Sequence, residues 1–213
     1  MTSRDDAELF WERHYGTRLA GGERANPLLV ETAEPLPPGA ALDLGCGAGG
    51  DTIWLARHGW QVTAVDISGT AVERVRARAR DLGVGSRVAA EQHDLARSFP
   101  RGDFDLVSAQ YLHTPFPLPR SRVLRSAARA LRPGGLLLVV DHGSTAPWSW
   151  NQDPDTHYPT PGEIAAGLDL HPGQWSVVRA DMPRRQAVGP AGETATVTDN
   201  VLLIRRTAAD RSD

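Results

Sequence analysis

Two carboxylates bracket a run of glycines in this 213-residue chain. Asp43 stands two positions before Gly45-Cys46-Gly47-Ala48-Gly49-Gly50, and Asp66 closes the next β-branched stretch. Glycines at this density let a backbone turn sharply and let a ligand approach where a Cβ would block it. A strand that enters such a turn and leaves it as a helix also aims the unpaired N–H groups of the helix start at that ligand. An acid about twenty residues on, at the end of the second strand, is placed to accept both hydroxyls of a ribose. The chemistry written here is the holding of a nucleoside-bearing ligand.

Two such ligands compete. Gly45, Gly47 and Gly50 match the dinucleotide spacing G-x-G-x-x-G, which would make the chain a nicotinamide-dependent oxidoreductase. Asp43 separates the cases: a carboxylate beside this turn repels a pyrophosphate, whereas the ammonium and sulfonium of S-adenosylmethionine (SAM) are cations that an acid holds. The alternative role for Asp43 is to cap the following helix or satisfy loop amides. Cys46, the only cysteine, reads as a small filler behind the turn and rules out an intramolecular disulfide.

Other residues carry chemistry with a structural alternative beside it. His113 and His142 each follow an apolar run and read either as a general base or as loop histidines; Tyr15 is a third candidate base. Trp148, Trp150, His157 and Tyr158 fall in the long irregular stretch 143–160, read either as the wall of an acceptor pocket or as an aromatic anchor for the loop. Arg74, Arg76, Arg78 and Arg80 read as a solvated helix face. No His, Cys or acid grouping has metal-ligand spacing, so no metal is expected, and no G-x-S-x-G context appears.

The elements that must position these residues alternate. Short strands are expected at 40–44, 61–66, 87–93, 104–109 and 136–141, with helices at 49–59, 69–82 and 119–131 between them. The run Leu136–Asp141 is apolar nearly throughout, as in a strand covered on both faces. Such alternation implies parallel pairing with right-handed crossovers. Helices at 8–20, ended by Gly21-Gly22, and at 26–33, started by Asn26-Pro27, precede the core. A short helix at 161–168 follows the loop. Strands at 175–180 and 196–205, with no helix between them, read as an antiparallel hairpin at the end of the sheet. Residues 208–213 are expected to be a disordered tail.

Asp43-Leu44-Gly45-Cys46-Gly47-Ala48-Gly49 resembles the first motif of class I SAM-dependent methyltransferases. Asp66-Ile67-Ser68 resembles their ribose-binding second-strand end, and His93-Asp94-Leu95 their post-third-strand motif. Phe104 to His113 resembles the fourth-strand motif beneath the methyl donor, and Leu131-Arg132-Pro133-Gly134-Gly135-Leu136 the turn into the fifth strand. The flanks Phe10–Tyr15 and Ala25–Val30 resemble the lid of the small-molecule branch that includes tellurite-resistance and thiopurine methyltransferase-like proteins.

The resemblance implies a doubly wound, Rossmann-like α/β fold. Its seven-stranded sheet is mostly parallel, has helices on both faces, and carries one antiparallel strand beside the fifth. The resemblance further implies SAM held by Asp43, Gly45, Cys46, Gly47, Gly49, Asp66, Ile67, Asp94, Leu95, Gln110 and Tyr111. The reaction is then methyl transfer to an N, O, S or chalcogen nucleophile of a small molecule, leaving S-adenosylhomocysteine (SAH). A SAM-binding module without turnover is the other reading.

Size and composition agree with one domain over 1–207, with 1–39 as a helical lid. A formal net charge of -3 gives no electrostatic case for nucleic acid or an anionic membrane. All basic residues are Arg and none is Lys, which reads as coding bias. The polar N-terminus shows no signal-peptide pattern and no apolar run reaches membrane-span length, so the expected compartment is the cytoplasm. Composition and pattern leave the oligomeric state open.

Overall fold

The computed structural model describes residues 3–17, 24–149 and 152–207; Leu19, Gly21, Gly22, Trp150 and the tail 208–213 lie outside them. The elements run α1 (Ser3–Thr17), α2 (Pro27–Ala33), β1 (Ala40–Leu44), α3 (Gly50–Arg57), β2 (Gln61–Asp66), α4 (Gly69–Asp81), β3 (Val88–Gln92), β4 (Phe104–Gln110), α5 (Arg120–Arg129), β5 (Leu131–His142), α6 (Pro161–Leu168), β6 (Trp175–Asp181), β7 (Arg184–Val188) and β8 (Thr194–Arg206).

The strands form one sheet in the order β3-β2-β1-β4-β5-β8-β6. β1 to β5 pair in parallel, and β8 lies antiparallel between β5 and β6. Seven strands on this path match the expected sheet. The eighth was not expected: Arg184–Val188, within the connector between the last two expected strands, pairs antiparallel with the first half of β8 and stands off the main path. β8 spans 13 residues, so its first half is free to hold β7 while its second half fills the sheet.

Period-two alternation sorts the strand side chains onto two faces. Leu42, Leu44, Val107, Leu137, Val139 and Leu202 pack on one face against Val123, Leu124, Ala127 and Ala128 of α5 and Ile164 and Leu168 of α6. Ala41, Leu106, Leu138, Val140 and Val201 pack on the other against Leu29 of α2 and Ile53, Leu55 and Ala56 of α3. In α5 the buried positions 123, 124, 127 and 128 recur at helical spacing, which leaves Arg122 and Arg129 on the outer side. Leu82, the last residue of the helix expected at 69–82, is the C-cap of α4 and is 44% exposed.

The chain winds outward from β1 to β3 and then returns to place β4 beside β1. Crossovers on the two sides of this switch leave a crevice beyond the carboxyl ends of β1 and β4, where ligands of open α/β sheets bind.

Candidate cofactor and acceptor site

Two turns bear on that crevice. β1 runs into the glycine turn, whose Gly45 and Cys46 amides donate to the Val65 carbonyl at 2.8 and 2.9 Å. Gly45 and Gly47 sit at φ 74° and 50°, the left-handed region that glycine enters freely. A Cβ on Gly45 would fall 2.9 Å from Leu112 Cδ1, and one on Gly47 would fall 2.8 Å from the Tyr15 hydroxyl. The space over the turn is therefore walled by α1 and by the residues after β4. Cys46 is buried and burial pushes its thiol up, in keeping with a packing role.

Asp66 ends β2 with its carboxylate under the turn. Its Oδ2 accepts from the Gly47 amide and its Oδ1 from the Ser68 amide, both at 3.0 Å. Each oxygen keeps a lone pair for another donor. Burial raises this carboxyl, in part offset by the amides of Ser68, Gly47 and Ile67.

Asp43 lies deeper, 2% exposed, and accepts from the Thr52 hydroxyl at 2.6 Å. It lines neither cavity beside the turn; Asp51, in the first turn of α3, lines the larger one and accepts from the Asn26 amide at 2.7 Å. Burial pushes Asp43 up to about 7, with the neighbouring Asp51 adding to it, and burial pushes Asp51 up to about 6. Among the described residues neither acid forms an ion pair, and with Asp43 behind the turn and Asp51 on the cavity wall they make a floor suited to a cation.

The crevice holds two cavities that share Tyr15, Gly45 and Tyr111. The smaller, about 110 Å³, is lined by Asp66, Ile67, His93, Asp94, Leu95 and Leu112 among others, under Trp11 of α1. The larger, about 810 Å³ and open to solvent, takes in Cys46, Gly47, Asp51, Gln110, Arg24 and Arg185. Asp94 folds its loop through the Ala96 amide at 2.9 Å. Gln110 accepts from Asn26 Nδ2 at 2.8 Å and donates to Ser108 Oγ at 2.9 Å, so the N-cap of α2 is tied to the end of β4.

A nucleoside sulfonium fits these residues. An apolar slot between Ile67, Leu95 and Leu112 with Asp66 and Asp94 at its ends suits an adenosine. The glycine cradle admits a chain that a Cβ would exclude, and the acidic floor suits ammonium and sulfonium charges.

The α1 helix roofs the slot. Glu12 accepts from the Gly69 and Thr70 amides and from the Thr70 hydroxyl at the start of α4. Trp11 donates to the Thr114 hydroxyl at 3.3 Å and stacks on Tyr15.

Beyond Tyr111 lies a ring stack. The His142 ring lies between Tyr111, at 4.5 Å, and His113, at 5.7 Å between centroids, both near parallel. Burial of its faces lowers the His142 pKa, His113 adding to the effect and Asp199 and Asp141 partly opposing it. His113 Nε2 is 3.2 Å from Asp141 Oδ1, yet that buried oxygen lacks an aligned hydrogen bond; the other oxygen of Asp141 pairs with Arg120. Tyr111 itself sits at φ 49° and donates to Asp199 at 2.9 Å. Burial beside Asp199 pushes its phenol up to about 12, so it stays protonated at neutral pH. His113 lines the smaller cavity and Tyr15 lines both, whereas His142 reaches the site by stacking on Tyr111.

The aromatic loop residues lie elsewhere. Tyr158 shares a hydrogen bond with Thr145 at 2.8 Å, His157 pairs with Glu163 of α6, and Trp148 packs against Gly189 at the β7 turn. None of the three lines either cavity. The arginine run divides as well: Arg74 and Arg78 line the larger cavity, and Arg76 bonds Glu73 and the Ala90 carbonyl. No group of three or more metal-ligating side chains occurs among the described residues. No described helix is long and apolar enough to cross a membrane.

Sequence reasoning missed Arg24, Asp51 and Arg185, and it named Trp11 and Asn26 only within the two lid-like flanks. Asn26 carried the one usable signal, as an N-cap; it does cap α2, accepting from the Leu28 amide at 3.0 Å, and its amide nitrogen does the second job. Arg185 gave none, because its strand was not foreseen.

Sheet order, glycine cradle and acid-ended second strand define the class: a Rossmann-like methyltransferase fold. A model described as "Methyltransferase domain" matches residues 41–135. Over that stretch, a little under half of its length, the chain resembles the class I SAM-dependent methyltransferases. It is 34% identical over 127 residues to a ribosomal RNA small subunit methyltransferase C of Alcanivorax borkumensis, covering 56% of this chain and 37% of that one. It is 37% identical over 125 residues to the methyltransferase GfsG of Streptomyces halstedii, covering 56% and 44%. The chain thus spans about two fifths of the length of these relatives. A solved structure described by "Conversion of a Disulfide Bond into a Thioacetal Group during Echinomycin Biosynthesis" superposes with a TM-score of 0.71 at 26% identity, over 97% of this chain and 93% of that one.

Proposed function

We propose that this chain transfers a methyl group from SAM to a nucleophilic atom of a small molecule. The observation that carries the reading is the junction of two cavities at Gly45, Tyr15 and Tyr111: one side is a slot of adenosine character and the other is large enough for a second molecule. The solved neighbour is described by the conversion of a disulfide bond into a thioacetal group during echinomycin biosynthesis, which supports a small-molecule acceptor over the ribosomal RNA named for one relative. When bound, SAM supplies the electrophilic methyl, which the acceptor atom takes in line as the carbon–sulfur bond breaks and SAH leaves.

The protein's part is placement and exclusion of water. Asp66 accepts ribose hydroxyls and Ile67, Leu95 and the Asp94 side hold the base. Gly45, Cys46, Gly47 and Gly49 pass the amino-acid chain over the acids Asp43 and Asp51, with Gln110 and Tyr111 at its flank. A thiolate or uncharged amine needs no base. For a hydroxyl acceptor, His113 is the base the geometry favours, since it lines the site and has Asp141 behind it; His142 and Tyr15 are next. Calorimetry with SAM and SAH, followed by labelled SAM against thiols, amines, phenols and chalcogen oxyanions, tests the reading. Absence of SAM binding by the intact chain would end it.

A further inference from the structure

We infer that Arg185 selects the acceptor, and that the acceptor is a compact molecule bearing a carboxylate or phosphate group; this rests on the methyl-transfer reading of the same site. Arg185 comes from β7, the hairpin strand off the main sheet path. Its guanidinium is held from behind. Nε donates to Asp199 Oδ2 at 2.6 Å, and Nη2 donates to Asp199 Oδ1 at 3.3 Å and to the Tyr111 hydroxyl at 3.1 Å. Nη1 has no hydrogen-bond partner among the described residues.

Exposure separates this from an ion pair that only holds the hairpin. The Asp199 side chain is 1% exposed while that of Arg185 is 40% exposed and lines the larger cavity. A buried acid fixed behind a half-exposed guanidinium holds the fork in one orientation and leaves its free edge for a ligand. Guanidinium matches carboxylate and phosphate oxygens through paired N–H donors. Arg24 lines the same cavity with no acid partner among the described residues, so a second cation is available to the same anion or to another carboxylate.

The location fixes the scale. Tyr111 lines both cavities and also bonds Arg185. The anion anchor therefore adjoins the junction where the two cavities meet, and one small molecule reaches from the guanidinium to that junction.

The test uses two probes of one shape and different charge, salicylate and salicylamide, titrated calorimetrically into the full chain with and without SAH. Wild type is expected to prefer salicylate by at least about tenfold, the scale of one charge-assisted hydrogen bond. Arg185→Gln is expected to bring that preference close to unity, and Arg184→Gln, on the same exposed strand, to keep it. Because Arg185→Gln leaves Asp199 buried without its cation, the paired variant Arg185→Gln/Asp199→Asn is measured beside it. Equal affinity for the two probes, binding of neither, or a preference that survives in both Arg185 variants overturns the proposal. SAH affinity in the same titrations reports separately on the methyl-transfer reading.

Discussion

Glu12 grips Thr70 twice, accepting from its amide and from its hydroxyl, across 58 positions of chain. The carboxylate sits at the start of α4, where the first amides of a helix lack intrahelical partners and favour negative charge. One acid thereby completes α4 and anchors α1 over the adenosine slot.

Glu12→Ala is therefore expected to cost about 1 kcal/mol of stability, the usual scale for losing a helix cap. It should also raise hydrogen exchange through 10–17 and weaken SAH binding several-fold. Although burial raises it, the hydrogen bonds from Thr70 and Gly69 bring the Glu12 carboxyl below its ordinary 4.5. Its stabilisation is then full above that value and is lost as pH falls below it. Thermal melts from pH 7 down to pH 3 should show a smaller acid-induced loss in Glu12→Ala than in wild type.

Asp43 and Asp51 carry the opposite sign. Their carboxyls stand at about 7 and about 6, above the ordinary 3.8. The stability they confer in the protonated form is thus present at low pH and lost as pH rises towards 7. A cationic ligand favours the ionised forms, so binding releases protons. SAM affinity should climb between pH 5 and pH 8, and Asp43→Asn should flatten that climb while raising the melting temperature of the ligand-free protein at pH 8. A pH-independent affinity in wild type would refute the acidic floor.

Asp66→Ala removes acceptors for two backbone amides and, on the proposed reading, for two ribose hydroxyls. The expected loss of SAM affinity is at least about 100-fold, from hydrogen bonds to a charged group worth about 1.5–3 kcal/mol each. Circular dichroism should show the sheet retained; affinity unchanged by calorimetry would remove Asp66 from the site.

With a hydroxyl acceptor, His113→Gln should lower kcat by about 100-fold or more, the scale of general-base catalysis, and leave SAH affinity alone. With a thiol acceptor the same variant should retain most of kcat. Equal losses with both acceptors would assign His113 to positioning instead of proton transfer.

The part of the site proposed for the cofactor is the part that sequence can place, because its residues are local. Gly45, Gly47 and Asp66 sit within one strand–turn–helix–strand unit, and spacing along the chain reports their geometry directly. Asp43, expected to face the ligand directly or through water, lies behind the turn, because the pattern does not say which way a strand-end carboxylate points. The acceptor half was not legible. Its residues meet across long separations, Trp11 with Thr114 and Tyr111 with Asp199, and Arg185 lies on a strand whose sequence, RRQAV, has no apolar alternation to announce it. For Trp148 and Tyr158 the sequence leaves pocket wall and loop anchor both open, because aromatic composition does not distinguish a ligand from a neighbouring loop; their contacts are those of the anchor.

Among the described residues β7 pairs as a strand with β8 alone, and its loss would leave every pairing of the central sheet intact. The hairpin is in that sense a detachable attachment, mounted on an extension of one long strand. On the proposed reading, grafting a different hairpin onto the first half of β8 is expected to change the acceptor and leave cofactor binding in place, which makes residues 184–198 the natural segment for redesign.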